Sequence, residues 1–90
     1  MIASQVMTVE IYTTGFCATC HAAKALLREK GIGFREIDVS ANEEERRAMT
    51  ERAGGRRSVP QVFVDGRHVG GFAELEWLVR SGGLAADGRD

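Results

Sequence analysis

The residues with the clearest chemical potential are two cysteines that stand three positions apart, Cys17 and Cys20. They are the only cysteines in the chain of 90 residues, and His21 follows directly after them. Two thiols at this spacing can act as a redox pair, whereas Cys-x-x-Cys-His is also the attachment signature of a c-type haem. The surrounding sequence has to decide between these two interpretations.

The predicted secondary structure around the pair favours redox chemistry. A strand pattern at 7–13 ends before Gly15, and a helical pattern runs from Cys17 to about residue 30. A cysteine at a helix start meets unpaired backbone N–H groups and the positive end of the helix dipole, and both favour thiolate over thiol. We therefore predict that Cys17 is the nucleophile with a lowered pKa. Cys20, one turn inside the helix, is predicted to be buried, to have a higher pKa and to resolve the mixed disulfide.

Length and composition restrict the classes of protein to which the chain can belong. Ninety residues fit one domain, which we place at 7–84 between a flexible lead-in at 1–6 and a loose tail at 85–90. The net charge is -1 with both signs interspersed, so no nucleic-acid partner is expected. No apolar run reaches membrane-spanning length, so no membrane partner is expected either. Two cysteines are too few for a disulfide scaffold, which indicates a reducing compartment, the cytoplasm.

The rest of the chain predicts an alternation of strands and helices. Ser40 and Glu43 have the spacing of a capping box, with Ser40 as the N-cap of a second helix. Asp65-Gly66 favours a two-residue hairpin turn between two short strands. The predicted elements after the first helix are a strand at 34–39, a helix at 41–53, strands at 61–64 and 67–69, and a helix at about 73–81.

This order predicts an α/β protein with a mixed four-stranded sheet. The first two strands, joined by a helix, should be parallel, and the hairpin adds an antiparallel pair. The order β-α-β-α-β-β-α, with three helices flanking the sheet on both faces, is that of the thioredoxin-like fold. A small haem-c protein would be mainly helical, so the haem interpretation is disfavoured. Zinc needs four ligands and only His21 and His68 accompany the cysteines, so no metal site is predicted.

Several segments together resemble the glutaredoxin family, close to its bacterial dithiol class. They cover about residues 7 to 84 and lie at 9–13, 17–21, 23–27, 58–64 and 70–71. The resemblance implies a glutathione-dependent thiol-disulfide oxidoreductase. Its partners would be glutathione and disulfide-bonded or glutathionylated proteins, with Cys17 as nucleophile and Cys20 as resolving cysteine.

The resemblance also implies a glutathione site beside the redox pair. Arg47 falls where the family places an Arg or Gln that holds the glycine carboxylate. Ser58 and Val59 match a Thr-Val that pairs with the cysteinyl backbone of glutathione. Pro60 matches a proline that is cis in this fold and faces the redox pair.

The other end of the implied glutathione site lies at the start of the last helix. Gly71 and Phe72 match the turn whose N–H groups receive the γ-glutamyl carboxylate. Glu74 stands where an Asp is common. Ala73 replaces a Ser or Asp that helps to hold the γ-glutamyl end, so this contact is missing.

Two further positions depart from the family pattern near the cysteines. Thr14 replaces a Lys that contacts a carboxylate and stabilises the thiolate, and Thr19 replaces the tyrosine of Cys-Pro-Tyr-Cys. A charged hydrogen bond contributes roughly 1.5–3 kcal/mol, so we expect a weaker or altered glutathione site. Because several glutathione contacts are missing, a glutaredoxin-like redoxin that is reduced by thioredoxin reductase is an alternative function.

A third interpretation is an iron–sulfur carrier. Some glutaredoxins hold a [2Fe–2S] cluster between two chains through the first cysteine and glutathione, and the proline after that cysteine disfavours the cluster. Ala18 removes this obstacle, so Cys17 would be the cluster ligand. Without such a cluster we expect a monomer.

Overall fold

The structure, a computed structural model, describes residues 8–84. The predicted lead-in at 1–6 and tail at 85–90 lie outside the described residues, as does Met7. The elements in chain order are β1 (Val9–Thr13), α1 (Ala18–Glu29), β2 (Arg35–Asp38), α2 (Glu43–Arg52), β3 (Gln61–Val64), β4 (Arg67–Gly70) and α3 (Phe72–Arg80). The predicted order of strands and helices is therefore confirmed.

The four strands form one mixed sheet in the order β2-β1-β3-β4. β1 pairs with β2 in parallel, whereas the β1–β3 and β3–β4 pairs are antiparallel. This topology confirms the predicted thioredoxin-like fold. Within residues 8–84, no helix has the length and apolar character needed to cross a membrane.

The sheet is covered by apolar side chains on both faces. On one face Ile11 of β1 packs with Leu27 of α1 and Leu75 of α3, all with no exposed surface. On the other face Met49 of α2 packs with Phe63 of β3. The ends of β1 and β3 are therefore held between helices, and the loops that follow β1 and precede β3 are fixed beside each other.

The start of α2 differs from the prediction. The N-cap is Asn42, whose Oδ1 accepts the N–H of Glu45 at 3.0 Å, so the predicted Ser40–Glu43 capping box is wrong. Ser40 instead accepts the N–H of Gly15 through its Oγ at 2.9 Å. The hydroxyl is thus used to hold the loop after β1, a contact between residues 25 positions apart that local spacing does not reveal.

Candidate active site

Cys17 is the N-cap residue of α1, and its own sulfur takes the place of a capping oxygen. Its backbone is extended (φ -147°, ψ 106°), and Sγ accepts the N–H of Cys20 at 3.1 Å. Residues 14–16 carry the chain from the end of β1 to this point. The sulfur therefore lies at the positive end of the helix dipole, where negative charge is stabilised.

The surroundings of Cys17 lower its pKa. Burial raises the pKa, but hydrogen bonds from Cys20 and Thr19 more than offset this effect. Thr19 Oγ1 lies 3.4 Å from the sulfur and the carbonyl oxygen of Val59 lies 3.8 Å from it. The predicted direction of the pKa shift is therefore confirmed, and the surroundings of the half-buried sulfur stabilise its thiolate form.

Cys20 has the opposite environment. Its side chain has no exposed surface, and burial, followed by the neighbouring Cys17, raises its pKa to about 12. At neutral pH Cys20 is a thiol, and its side chain helps to lower the pKa of Cys17. Two like groups whose pKa values are pushed apart can take different roles, one as nucleophile and one as proton donor and later attacker. The backbone of half-buried Thr14 acts in the opposite direction and lowers the pKa of Cys20.

The loop before β3 lies against the redox pair. The Val59–Pro60 peptide bond is cis, as the resemblance implied, and Pro60 is buried. Val59 is half-buried with its carbonyl facing the Cys17 sulfur, and Ser58 is exposed. An extended thiol substrate at Cys17 would therefore pass directly beside the backbone of Val59.

The start of α3 lies next to the same loop, at Pro60. Gly71 is the N-cap of α3, and a Cβ placed on it would lie 3.4 Å from the carbonyl oxygen of Pro60. The N–H of Gly71 donates to Glu74 Oε1 at 2.8 Å, and this bond lowers the pKa of Glu74. In the predicted turn, the N–H of Gly71 is therefore already bonded to Glu74. The N–H groups of Phe72 and Ala73 lie in the first turn of the helix, where no intrahelical acceptor exists.

Two neighbouring arginines of α2 behave differently. Arg47, the predicted carboxylate ligand, is exposed and makes no hydrogen bond or ion pair within residues 8–84. Arg46 donates through Nη2 to the carbonyl oxygen of Arg57 at 3.0 Å, directly before Ser58. Its Nε is buried without a hydrogen-bond partner in the same described range. The arginine that reaches the site loop is therefore Arg46, a residue that the sequence did not single out.

Other residues around the site also escaped the sequence reasoning. Gln61 is a fully buried polar residue at the start of β3, and His68 of β4 hydrogen-bonds to it at 2.6 Å. A polar residue within the apolar run of β3 was the available signal.

Phe16, next to Cys17, is fully exposed, which is unusual for so large an apolar side chain. No group of three or more His, Cys, Asp or Glu side chains suited to a metal ion occurs among the described residues.

Comparison with known proteins places this geometry in a family. The glutaredoxin family model matches residues 9–69. Glutaredoxin 3 of Escherichia coli (strain K12) is 47% identical over 76 residues, which is 84% of this chain and 90% of that protein.

Solved structures agree with the sequence comparison. The solution structure of glutaredoxin from Brucella melitensis is 43% identical, covers 96% of both chains and gives a TM-score of 0.77. A buckwheat glutaredoxin–glutathione complex is 25% identical, covers 82% of this chain and 69% of that one, and gives a TM-score of 0.74. With a matched family model, close relatives and the expected fold around Cys17 and Cys20, this chain belongs to the glutaredoxin family.

Proposed function

We propose that the protein is a glutathione-dependent thiol-disulfide oxidoreductase that acts on protein disulfides and protein–glutathione mixed disulfides. The observation that carries this proposal is the pair of cysteines with opposed pKa shifts, Cys17 lowered and Cys20 raised, beside the cis-Pro60 loop. The buckwheat relative, whose structure was solved with glutathione, supports glutathione as co-substrate. Both thiols operate in reduced form, which suits the cytoplasm as the place of action.

With a protein–glutathione mixed disulfide, Cys17 alone completes the exchange. The Cys17 thiolate attacks the glutathione sulfur, the protein thiolate leaves and takes up a proton, and a Cys17–glutathione disulfide remains. The thiolate of a second glutathione attacks that glutathione sulfur, so glutathione disulfide is released and Cys17 returns as thiolate. The exchange thus consumes one reduced glutathione, and the glutathione taken from the protein forms the other half of glutathione disulfide.

With a protein disulfide, Cys20 completes the exchange. Cys17 attacks one substrate sulfur and forms a mixed disulfide, and the other substrate sulfur leaves and takes up a proton. Cys20 then loses its proton and attacks Cys17, which forms the Cys17–Cys20 disulfide and releases the second substrate thiol. Burial keeps Cys20 protonated until this step, since its pKa is raised to about 12. Two glutathione molecules then reduce the internal disulfide.

In the proposed complex, glutathione lies along the loop before β3 and extends to the start of α3. The cysteinyl backbone pairs with Val59 beside Ser58 and Pro60, and its sulfur meets Cys17. The γ-glutamyl carboxylate meets the first-turn N–H groups of α3 at Phe72 and Ala73. Thr14 and Thr19 offer hydroxyls where the family has Lys and Tyr, so binding there relies on neutral contacts.

Two arginines compete for the glycine carboxylate. Arg47 is the position implied by the resemblance, whereas the buried, unpartnered Nε of Arg46 supports Arg46. We expect Arg46→Gln to raise the KM for a glutathione mixed disulfide about tenfold, because a charged hydrogen bond is lost, and Arg47→Gln to leave it within about twofold. Steady-state kinetics of both variants shows which arginine binds the glycine carboxylate. A raised KM in Arg47→Gln with an unchanged KM in Arg46→Gln would assign the contact to Arg47.

A coupled assay tests the proposed activity. NADPH consumption is followed with a small glutathione mixed disulfide, glutathione and glutathione reductase, and in parallel with thioredoxin reductase as the only electron donor. We expect turnover with glutathione and none with thioredoxin reductase. Turnover with thioredoxin reductase alone would overturn the proposal in favour of the redoxin alternative.

Phe16 supports protein disulfides as substrates. A substrate sulfur bonded to Cys17 brings its neighbouring residues over the adjacent, fully exposed ring. We expect Phe16→Ser to lower kcat/KM for a protein disulfide about fivefold and to leave a small glutathione mixed disulfide unaffected, because apolar contact area is lost only with the larger substrate. Equal effects on both substrates would exclude this role.

A [2Fe–2S] cluster held between two chains is a second candidate. The supporting observation is that Ala18, not proline, follows Cys17 in the first turn of α1, and that Cys17 is accessible while Cys20 is not. Cys17 of each chain, together with glutathione, would hold the cluster. Anaerobic reconstitution with iron, sulfide and glutathione tests this candidate, and a colourless monomer after reconstitution excludes it.

A further inference from the structure

Gln61 is a buried amide whose hydrogen bonds are all accounted for by the active-site loop and one side chain. It has no exposed surface, and its Nε2 lies 3.0 Å from the carbonyl oxygen of Ser58 and 3.2 Å from Ser58 Oγ. Its Oε1 lies 2.6 Å from Nε2 of His68. The amide thus bridges β4 and the loop before β3.

The chemistry of these contacts fixes the direction of each hydrogen bond. A carbonyl oxygen only accepts, so the amide nitrogen of Gln61 must face Ser58. The amide oxygen then faces His68, which must donate from Nε2. This proton is present in one neutral tautomer and in the charged imidazolium, so the bond survives both protonation states of His68.

The loop held in this way passes close to the nucleophile. Val59 follows Ser58, and its carbonyl oxygen lies 3.8 Å from Cys17 Sγ. The His68 ring also packs on Phe63, with ring centroids 5.0 Å apart, which restricts the movement of the imidazole. A side chain on β4 therefore supports, through one amide, the loop that lies beside the reacting sulfur.

We infer that His68 is a positioning residue, which orients the Gln61 amide and thereby holds the Ser58–Val59 backbone in the conformation that receives the cysteinyl part of the substrate. The inference rests on the proposed glutathione-dependent activity. His68 itself contacts neither the sulfur nor the substrate. Without its donor, the buried Gln61 oxygen loses its partner and the amide is no longer held in one orientation.

Two substitutions separate the hydrogen bond from the ring. His68→Phe keeps an aromatic ring against Phe63 and removes the donor, whereas His68→Gln keeps a donor and removes the ring. Arg67→Gln, on the same strand, is the matched control. We expect His68→Phe to raise the KM for a glutathione mixed disulfide about fivefold with kcat within about twofold, since one neutral hydrogen bond is lost. His68→Gln should recover most of the wild-type KM.

Two further readouts distinguish positioning from general damage. The Val59 amide NMR shift should move in His68→Phe and return toward wild type in His68→Gln, whereas the Cys17 pKa, measured by thiolate absorbance, should stay unchanged in both. An unchanged KM and Val59 shift in His68→Phe would overturn the inference, as would equal loss in both variants. Absence of glutathione-dependent turnover in the wild type would instead contradict the proposed function, and the Val59 shift would still test the link from His68.

Discussion

The starts of α1 and α3 both lie next to the cis-Pro60 loop, and the free N–H groups of the two helix starts meet different partners. At α1 the capping atom is the Cys17 sulfur, which accepts an N–H at 3.1 Å and also takes part in the proposed reaction. At α3 the cap is the Glu74 carboxylate, which reaches back to Gly71 at 2.8 Å from inside the helix. Both helix starts place negative charge at the positive end of a dipole.

The difference concerns what happens to that charge during turnover. When Cys17 forms a disulfide, its sulfur becomes neutral and the cap of α1 weakens, so this helix start depends on the redox state. The carboxylate of Glu74 keeps its charge throughout, so the start of α3 does not depend on the redox state. The fold thus contains two helix caps next to one loop: a reactive cap, the Cys17 sulfur at α1, and a fixed cap, the Glu74 carboxylate at α3.

The largest effect is expected when the reactive cap is removed. Cys17→Ser should abolish turnover of both substrate classes, a loss of roughly 10³-fold or more, because a hydroxyl is not ionised at neutral pH. Cys20→Ser should retain turnover of glutathione mixed disulfides and lose reduction of protein disulfides. Parallel kinetics with both substrates checks this, and equal loss in the two variants contradicts the assigned roles.

The next effect concerns the charge on the reactive cap. Cys20→Ala removes the thiol that helps to lower the Cys17 pKa, so this pKa should rise, and Cys20→Ser should raise it less because a hydroxyl can still donate a hydrogen bond. The rate of iodoacetamide alkylation, which increases as pH rises through the Cys17 pKa, should therefore have its midpoint at higher pH in Cys20→Ala. An unchanged midpoint would show that the helix start alone lowers the pKa.

At the fixed cap, stability and binding should respond separately. Glu74→Ala should lower the free energy of unfolding by about 1 kcal/mol, because one hydrogen bond to the helix start is lost. Glu74→Gln keeps an acceptor and should be less affected. Since the folded-state pKa of Glu74 is lowered, the stabilisation is present above the unfolded-state pKa and is lost as pH falls through the folded-state pKa. Denaturant unfolding at neutral and acid pH measures this.

Binding at the same helix start gives a second test. If the Glu74 charge contacts the amino group of glutathione, both Glu74→Ala and Glu74→Gln should raise the KM about threefold, since both lose the charge. A fall in KM for both variants would mean that the carboxylate competes with the γ-glutamyl carboxylate for the start of α3.

The smallest effect is expected at Thr19. Its hydroxyl lies 3.4 Å from the Cys17 sulfur in an exposed position. Thr19→Val should raise the Cys17 pKa less than Cys20→Ala does, with a change in kcat/KM of about twofold. The pH dependence of iodoacetamide alkylation measures the Cys17 pKa in this variant. A shift as large as that of Cys20→Ala would mean that Thr19 lowers the Cys17 pKa as much as the buried Cys20 thiol does.

The local features of the site could be predicted from neighbouring residues. Apolar periodicity and glycines indicated the strands and helices, and Cys17 at a helix start indicated a lowered pKa. The turn at Asp65-Gly66 was also predictable, because both residues have positive φ (52° and 82°), the conformation that this pair favours in hairpins.

The contacts between distant segments could not be predicted in this way. The resemblance implied a carboxylate contact at Arg47, but only the packing of α2 shows that Arg47 is exposed and that Arg46 reaches the site loop. Ser40 had the correct spacing for a cap, yet its hydroxyl bonds to Gly15 across the site. Likewise, the partners of Gln61 depend on how β3 lies against β4, which local spacing does not specify.

The sequence by itself therefore determined the fold class, the redox pair and the roles proposed for its cysteines, because these depend on short-range spacing and helix geometry. The tertiary structure alone decided which arginine reaches the loop and how Glu74 caps α3. It also decided that His68 and Gln61 support Ser58 and Val59. The physical reason is that hydrogen-bond direction and burial depend on groups brought together by sheet pairing and helix packing, which no single stretch of the chain contains.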